Sequence, residues 1–116
     1  MLQKFVILKS SPKINITVTR DSVCAADDCD APHKKTVTLP SFLDPIDFIR
    51  EILVRYSLPQ ISGGEAAWTC HLNGEKIAVI AQQWSFPKAT VTEMKFLEIN
   101  ELHFKYHAQE QPEDYT

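Results

Sequence analysis

Hydrophobic and polar residues alternate along Ile14 to Arg20, with Ile14, Ile16 and Val18 on one side and Asn15, Thr17 and Thr19 on the other. A period of two is the mark of a strand with one buried face. Phe5 to Lys9 is a short apolar run, and Ser10-Ser11-Pro12-Lys13 joins it to the alternating stretch as a turn. The two runs are expected to pair as a first hairpin. Thr36 to Leu39 alternates again and is rich in β-branched residues, giving a third strand that ends at Pro40.

The period then changes. Asp44-Pro45 is a helix start, because Asp caps well and proline at the first helical position gives up an N–H that had no intrahelical partner. Ile46, Ile49, Ile52, Leu53 and Tyr56 follow at helical spacing, Glu51 and Arg55 stand four apart, and Ser57-Leu58-Pro59 ends the helix at about 13 residues. Ser62-Gly63-Gly64 leads into the next hairpin. There Asn73-Gly74 supplies the two positive-φ residues of a type I′ turn and sets Leu72 opposite Glu75. Counting outward predicts Cys70 opposite Ile77 and Trp68 opposite Val79, with Thr69, His71, Lys76 and Gln82 on the other face. After a turn at Ser85-Phe86-Pro87-Lys88, Val91 to Ile99 and Leu102 to His107 are expected to add one or two strands. Their apolar parity flips across Asn100-Glu101, which a bulge or a tight turn would explain. The expected fold is therefore α+β in the order β-β-β-α-β-β-β, a mainly antiparallel sheet of five to six strands with one main helix packed on it.

Composition sets bounds on this picture. A chain of 116 residues, 44% hydrophobic and 23% charged, fits one globular domain, here 1–108, with 109–116 as an acidic tail that has no apolar pattern. The longest apolar runs, such as Ile77 to Ala81, fall far short of the roughly 20 residues of a membrane helix. The N-terminal run is short for a signal peptide, and three cysteines, an odd number, suit a reducing compartment. The expectation is a cytoplasmic protein with no membrane partner.

Charge divides unevenly. The net charge is −3, yet Asp21, Asp27, Asp28 and Asp30 place −4 in one stretch and Glu110, Glu113 and Asp114 place −3 in the tail, which leaves +4 elsewhere. A local negative potential repels a phosphate backbone and attracts a basic partner, so nucleic acid is not the expected ligand. Phe104-Lys105-Tyr106-His107 alternates aromatic with basic residues, but a strand with one core face and one solvated face has that pattern too.

Catalytic chemistry finds little support. Cys70 and His71 are adjacent, so on a strand they point to opposite faces and cannot act as nucleophile and base. His103 and His107 share a face but stand roughly 13 Å apart, too far to share a metal. No glycine loop suited to phosphate is present. The expectation is a protein that is not an enzyme and carries no cofactor. The stretch from Asp21 to His33 is longer than a hairpin needs, and long loops are functional or disordered. Its Cys24, Cys29 and His33 are candidate metal ligands, with Cys70 or His71 as a fourth, although the spacing is looser than that of paired zinc motifs.

In size, in the acidic Asp21–Asp30 loop running into Pro32-His33, and in having no active-site motif, the chain resembles the small immunity proteins that bacteria pair with secreted toxins, including those of contact-dependent growth inhibition. The resemblance implies stoichiometric neutralisation of a cognate basic toxin, commonly a nuclease, with Asp21, Asp27, Asp28 and Asp30 as partner-binding residues. Carboxylates suit that task because they can take the positions of substrate phosphates. Two other readings stand beside it: a small metal-binding regulator or enzyme using Cys24, Cys29 and His33, and a subunit of a larger assembly that joins through an exposed edge strand.

Overall fold

In the computed structural model, residues 13–21, 34–59 and 66–107 are described. The elements are β1 (Lys13–Arg20), β2 (Lys34–Pro40), α1 (Pro45–Arg55), β3 (Ala67–Leu72), β4 (Glu75–Ala81), β5 (Lys88–Ala89) and β6 (Asn100–His107). Among the described residues the six strands form one sheet in the order β2-β1-β6-β3-β4-β5, with α1 on one side.

The α+β class holds, but the sheet is mixed. β1 and β6 run parallel, with Ile16 opposite Asn100 and Arg20 opposite Phe104, while β2 against β1, β6 against β3, β3 against β4 and β4 against β5 run antiparallel. The element order also differs, since two described strands precede the helix and four follow it. The expected strand Phe5–Lys9 lies outside the described residues. Its expected partner β1 has both edges occupied, by β2 from Lys13 to Thr19 and by β6 from Ile16 to Arg20.

The helix starts where the sequence indicated. The Asp44 side chain accepts the Asp47 N–H at 2.8 Å, Pro45 opens the first turn and the Tyr56 N–H closes the last one on the Ile52 carbonyl. Such a cap contributes about 1 kcal/mol. Glu51 and Arg55 pair at 2.7 Å on the outer side. Pro45, Phe48, Ile49 and Ile52 are buried. Phe48, Ile49 and Ile52 meet Ile16 and Val18 of β1, Val37 and Leu39 of β2, Trp68, Cys70 and Leu72 of β3, Ile77 and Ala78 of β4, and Leu102 and Phe104 of β6 in one core. Tyr56 stacks on Phe104 at 6.0 Å, and Trp68 meets Tyr106 at 5.2 Å across the β3–β6 ladder.

The Asn73-Gly74 turn forms as expected, with φ of 50° and 90°, and it pairs Leu72 with Glu75. Farther out the register departs from expectation. A bulge between Cys70 and His71 moves the partners by one, so Cys70 faces Ala78 and Trp68 faces Ile80. The expected strand from Val91 to Ile99 does not form. Val91, Met94 and Phe96 instead pack on the core from an irregular segment, with Phe96 against Phe48 at 5.5 Å. The parity flip is a bend at Glu98-Ile99, and Asn100, 1% exposed, opens β6. Its amide accepts the Leu97 N–H at 2.8 Å and donates to the carbonyls of Leu97 and Asn15 at 2.9 and 3.3 Å.

Candidate functional site

Strand alternation sends half of each strand's side chains away from the helix. On that opposite face, register lines up a row across five strands: Lys34 of β2, Thr19 of β1, His103 of β6, His71 of β3 and Lys76 of β4. At about 4.8 Å per strand the row is roughly 19 Å long. Lys105 and His107 follow on the same side of β6, and Thr17, Thr36, Thr38, Asn15 and Glu101 lie along the flank. The half over β2, β1 and β6 is open to solvent, whereas Ala67, Thr69, Val79 and Ala81 toward the other edge are buried.

Two hydrogen-bonded sets organise this face. In the first, Asp21 Oδ1 lies 2.8 Å from His103 Nε2, and His103 Nδ1 lies 2.8 Å from the Thr19 hydroxyl. Asp21 Oδ2 accepts the Tyr106 N–H at 3.0 Å. The reason is local: β1 ends at Arg20, so β6 beyond Phe104 has no strand partner on that side and the carboxylate satisfies the next amide. Burial opposes ionisation of Asp21, but the Tyr106 N–H, the His103 ring and the charge of Lys105 outweigh it and hold the carboxyl below its ordinary value. An ionised carboxylate only accepts, so His103 donates to Asp21 from Nε2. In the second set the Thr69 hydroxyl bridges His71 Nε2 and His107 Nε2, each at 2.9 Å. One hydroxyl donates once, so at most one imidazole accepts from Thr69 and at least one donates to it.

Chemically, the first set has the connectivity of a hydroxyl, a base and an orienting carboxylate. It sits on an open surface, with Asp21 and His103 side chains 40% and 43% exposed, and Thr19 lies inside β1 with ladders on both sides. A groove of about 850 Å³ lies at the opposite side of the sheet, lined by Leu43, Leu53 and Val54 of the helix flank together with Arg50 and Pro87. Such an open, flat, hydrogen-bonded face is suited to contact rather than to enclosing a substrate.

Burial lowers the pKa of His71, and the charges of Lys105, His103, Lys76 and His107 lower it further. A histidine depressed in the fold keeps its stabilising effect above its ordinary value and loses it as the unfolded chain takes up the proton first. Stability should therefore fall as pH drops through about 6.5, and His71→Gln should flatten that slope in chemical denaturation between about pH 7.5 and 5.5. A slope identical to the parent's would show that His71 does not titrate differently on folding.

Of the four carboxylates expected to bind a partner, Asp21 alone lies among the described residues, at the end of β1, where it is bound to His103 and Tyr106. Asp27, Asp28, Asp30, Cys24, Cys29 and His33 lie outside the described residues. Cys70 is sealed in the core, where burial pushes its thiol pKa up, so it cannot join them as a ligand. Among the described residues no group of three His, Cys, Asp or Glu could hold a metal ion, and no helix is long and apolar enough to cross a membrane. His103 and His107 share a face as expected, and each is half-buried and hydrogen-bonded. Comparison with protein families, characterised proteins and solved structures found no match.

Proposed function

We propose that the chain is a binding protein of the immunity type, which neutralises a basic toxin, a nuclease by preference, through carboxylates on the connection between β1 and β2. The observation that supports this most is the register of those strands. Thr19 and Lys34 are cross-strand partners, so a turn of two residues would join their ends, yet the chain runs from Asp21 to His33 before it returns. So long a connection is more than the fold requires, and a loop held at both ends by a sheet is a common carrier of binding residues. Asp27, Asp28 and Asp30 fall within it, and Asp21 stands at its root. Residues 21–33 hold four of the fifteen acids and none of the twelve bases.

The test is association with a basic toxin domain encoded beside this chain, followed by stopped-flow. Replacing Asp27 and Asp28 with asparagine removes charge with little change of shape. The association rate at low salt should fall several-fold and lose much of its salt dependence, while Tm moves by less than about 2 °C. Deleting Glu110 to Asp114 should matter less. An unchanged rate in the asparagine variant would move the interface elsewhere, and failure of the parent to protect the toxin's substrate would end the immunity reading.

A further inference from the structure

We propose that the face of the sheet away from the helix is a second interaction surface, which takes an extended, carboxylate-rich polypeptide segment laid across the strands along the row of exposed and half-buried residues Lys34, Thr19, His103, His71 and Lys76. This inference does not depend on the immunity reading, because of the residues between β1 and β2 it involves only Asp21, as a carboxylate already engaged by His103.

Three observations carry it. The first is charge. Lys34, Lys76 and Lys105 lie on or beside the row, against Asp21 and Glu101, and Asp21 is already engaged by His103 and the Tyr106 N–H. Counting lysines and acids alone the surface is near +1, and protonation of His71 would raise it further. The second is shape and length. A row of roughly 19 Å over five strands matches about six residues of extended chain, whose alternate side chains fall on one side at about 7 Å intervals. Carboxylates at every second residue would meet cationic or hydroxyl groups along it. The third is what this face lacks among the described residues. Phe104 and Tyr106, the aromatic residues of β6, turn to the core side, so the rings this face offers a nucleic-acid base are imidazoles already engaged in hydrogen bonds. Asp21 and Glu101 would also repel a continuous phosphate backbone, whereas a peptide can place neutral residues opposite them.

The surroundings of His71 give the surface a dependence on acidity. Lys76 faces it from β4, His103, Lys105 and His107 from β6, and Thr69 from its own strand, with Asp21 behind His103. Burial first and then the neighbouring cations lower the His71 pKa, and incoming carboxylates would oppose the cations, so binding should take up protons. The sign follows: affinity rises as pH falls from about 7.5 to 5.5.

The experiment uses the full chain with two probes of similar length and charge, a polyglutamate peptide and a single-stranded oligonucleotide, at low salt. Polyglutamate should bind at least tenfold more tightly at pH 5.5 than at pH 7.5, and its addition should raise the His71 titration midpoint read by NMR. The variant His71→Gln should retain weak binding and lose most of the pH dependence. Lys34→Glu with Lys105→Glu should weaken binding at both pH values, with circular dichroism checking that each variant is folded. Tighter binding of the oligonucleotide than of the peptide would overturn the choice of partner. No peptide binding at either pH, an unmoved His71 midpoint, or pH dependence surviving in the glutamine variant would overturn the surface itself.

Discussion

Replacing Phe104 with alanine is expected to cost about 3–5 kcal/mol and to lower Tm by more than about 10 °C. Phe104 is fully buried on β6, between β1 and β3, and its ring stacks on Tyr56 at 12° between planes. Truncation there removes the packing that links the helix end to the middle of the sheet, and no long side chain is free to fill the hole because Ile16, Ile52 and Cys70 are themselves sealed in place. Phe42→Ala is the matched control. Phe42 is 68% exposed, so its loss should fall within about 0.5 kcal/mol. Denaturant unfolding decides between them, and a cost below about 1 kcal/mol for Phe104→Ala would contradict the central position of β6.

Asn100→Asp is expected to cost about 2–4 kcal/mol at neutral pH, a large loss for a change that keeps size and shape. The Asn100 amide donates to the carbonyls of Asn15 and Leu97, and it accepts both the Leu97 N–H and, at 3.1 Å, the Asn73 side-chain amide. An aspartate would retain the acceptors and turn an anionic oxygen toward two carbonyl oxygens in a nearly waterless site. Part of the loss should return as pH falls and the new carboxyl gains a proton that can donate to one of them. Hydrogen exchange at the Leu97 amide reports the same site directly. If Asn100→Asp were as stable as the parent, the bend at Glu98-Ile99 would have to be held by something other than this side chain.

Local features were readable from sequence because their causes are local. Asn73-Gly74 turns where it does because two adjacent residues accept positive φ, and α1 starts at Asp44-Pro45 because an acceptor and a missing donor stand side by side. Alternation correctly assigned Ile16 and Val18 to the core and Thr17 and Thr19 to the other face. Phe48, which no helical count from Ile46 brought forward, is nevertheless among the most buried residues of the helix. What alternation does not contain is the neighbour of each strand. β6 enters between β1 and β3, and that long-range choice alone brings His103 beside both Thr19 and His71. The Cys70–His71 bulge is equally silent, since one extra backbone residue leaves the hydrophobic pattern of each strand intact while it moves every partner beyond it. Val91 to Ile99 misled for a related reason: apolar and β-branched residues can cover a core without joining a ladder when a buried side chain such as Asn100 satisfies the backbone instead.

The parallel alignment of β1 with β6 also bears on how the molecule reaches its fold. Residues 13–40 and 67–81 can each form hairpins by short-range search, but the two pieces share no ladder of their own, and the strand that joins them is the last of the described elements to be synthesised. Pairing Ile16 with Asn100 closes a loop of more than eighty residues, an entropic cost that must be met before the contacts of β6 repay it. Folding should therefore resemble that of proteins rich in distant contacts, on a scale of roughly milliseconds to seconds, with a transition state defined by the arrival of β6 between two preformed halves. Until then the inner edges of β1 and β3 stand unpaired, and an emerging chain is most exposed to mispairing through those two edges.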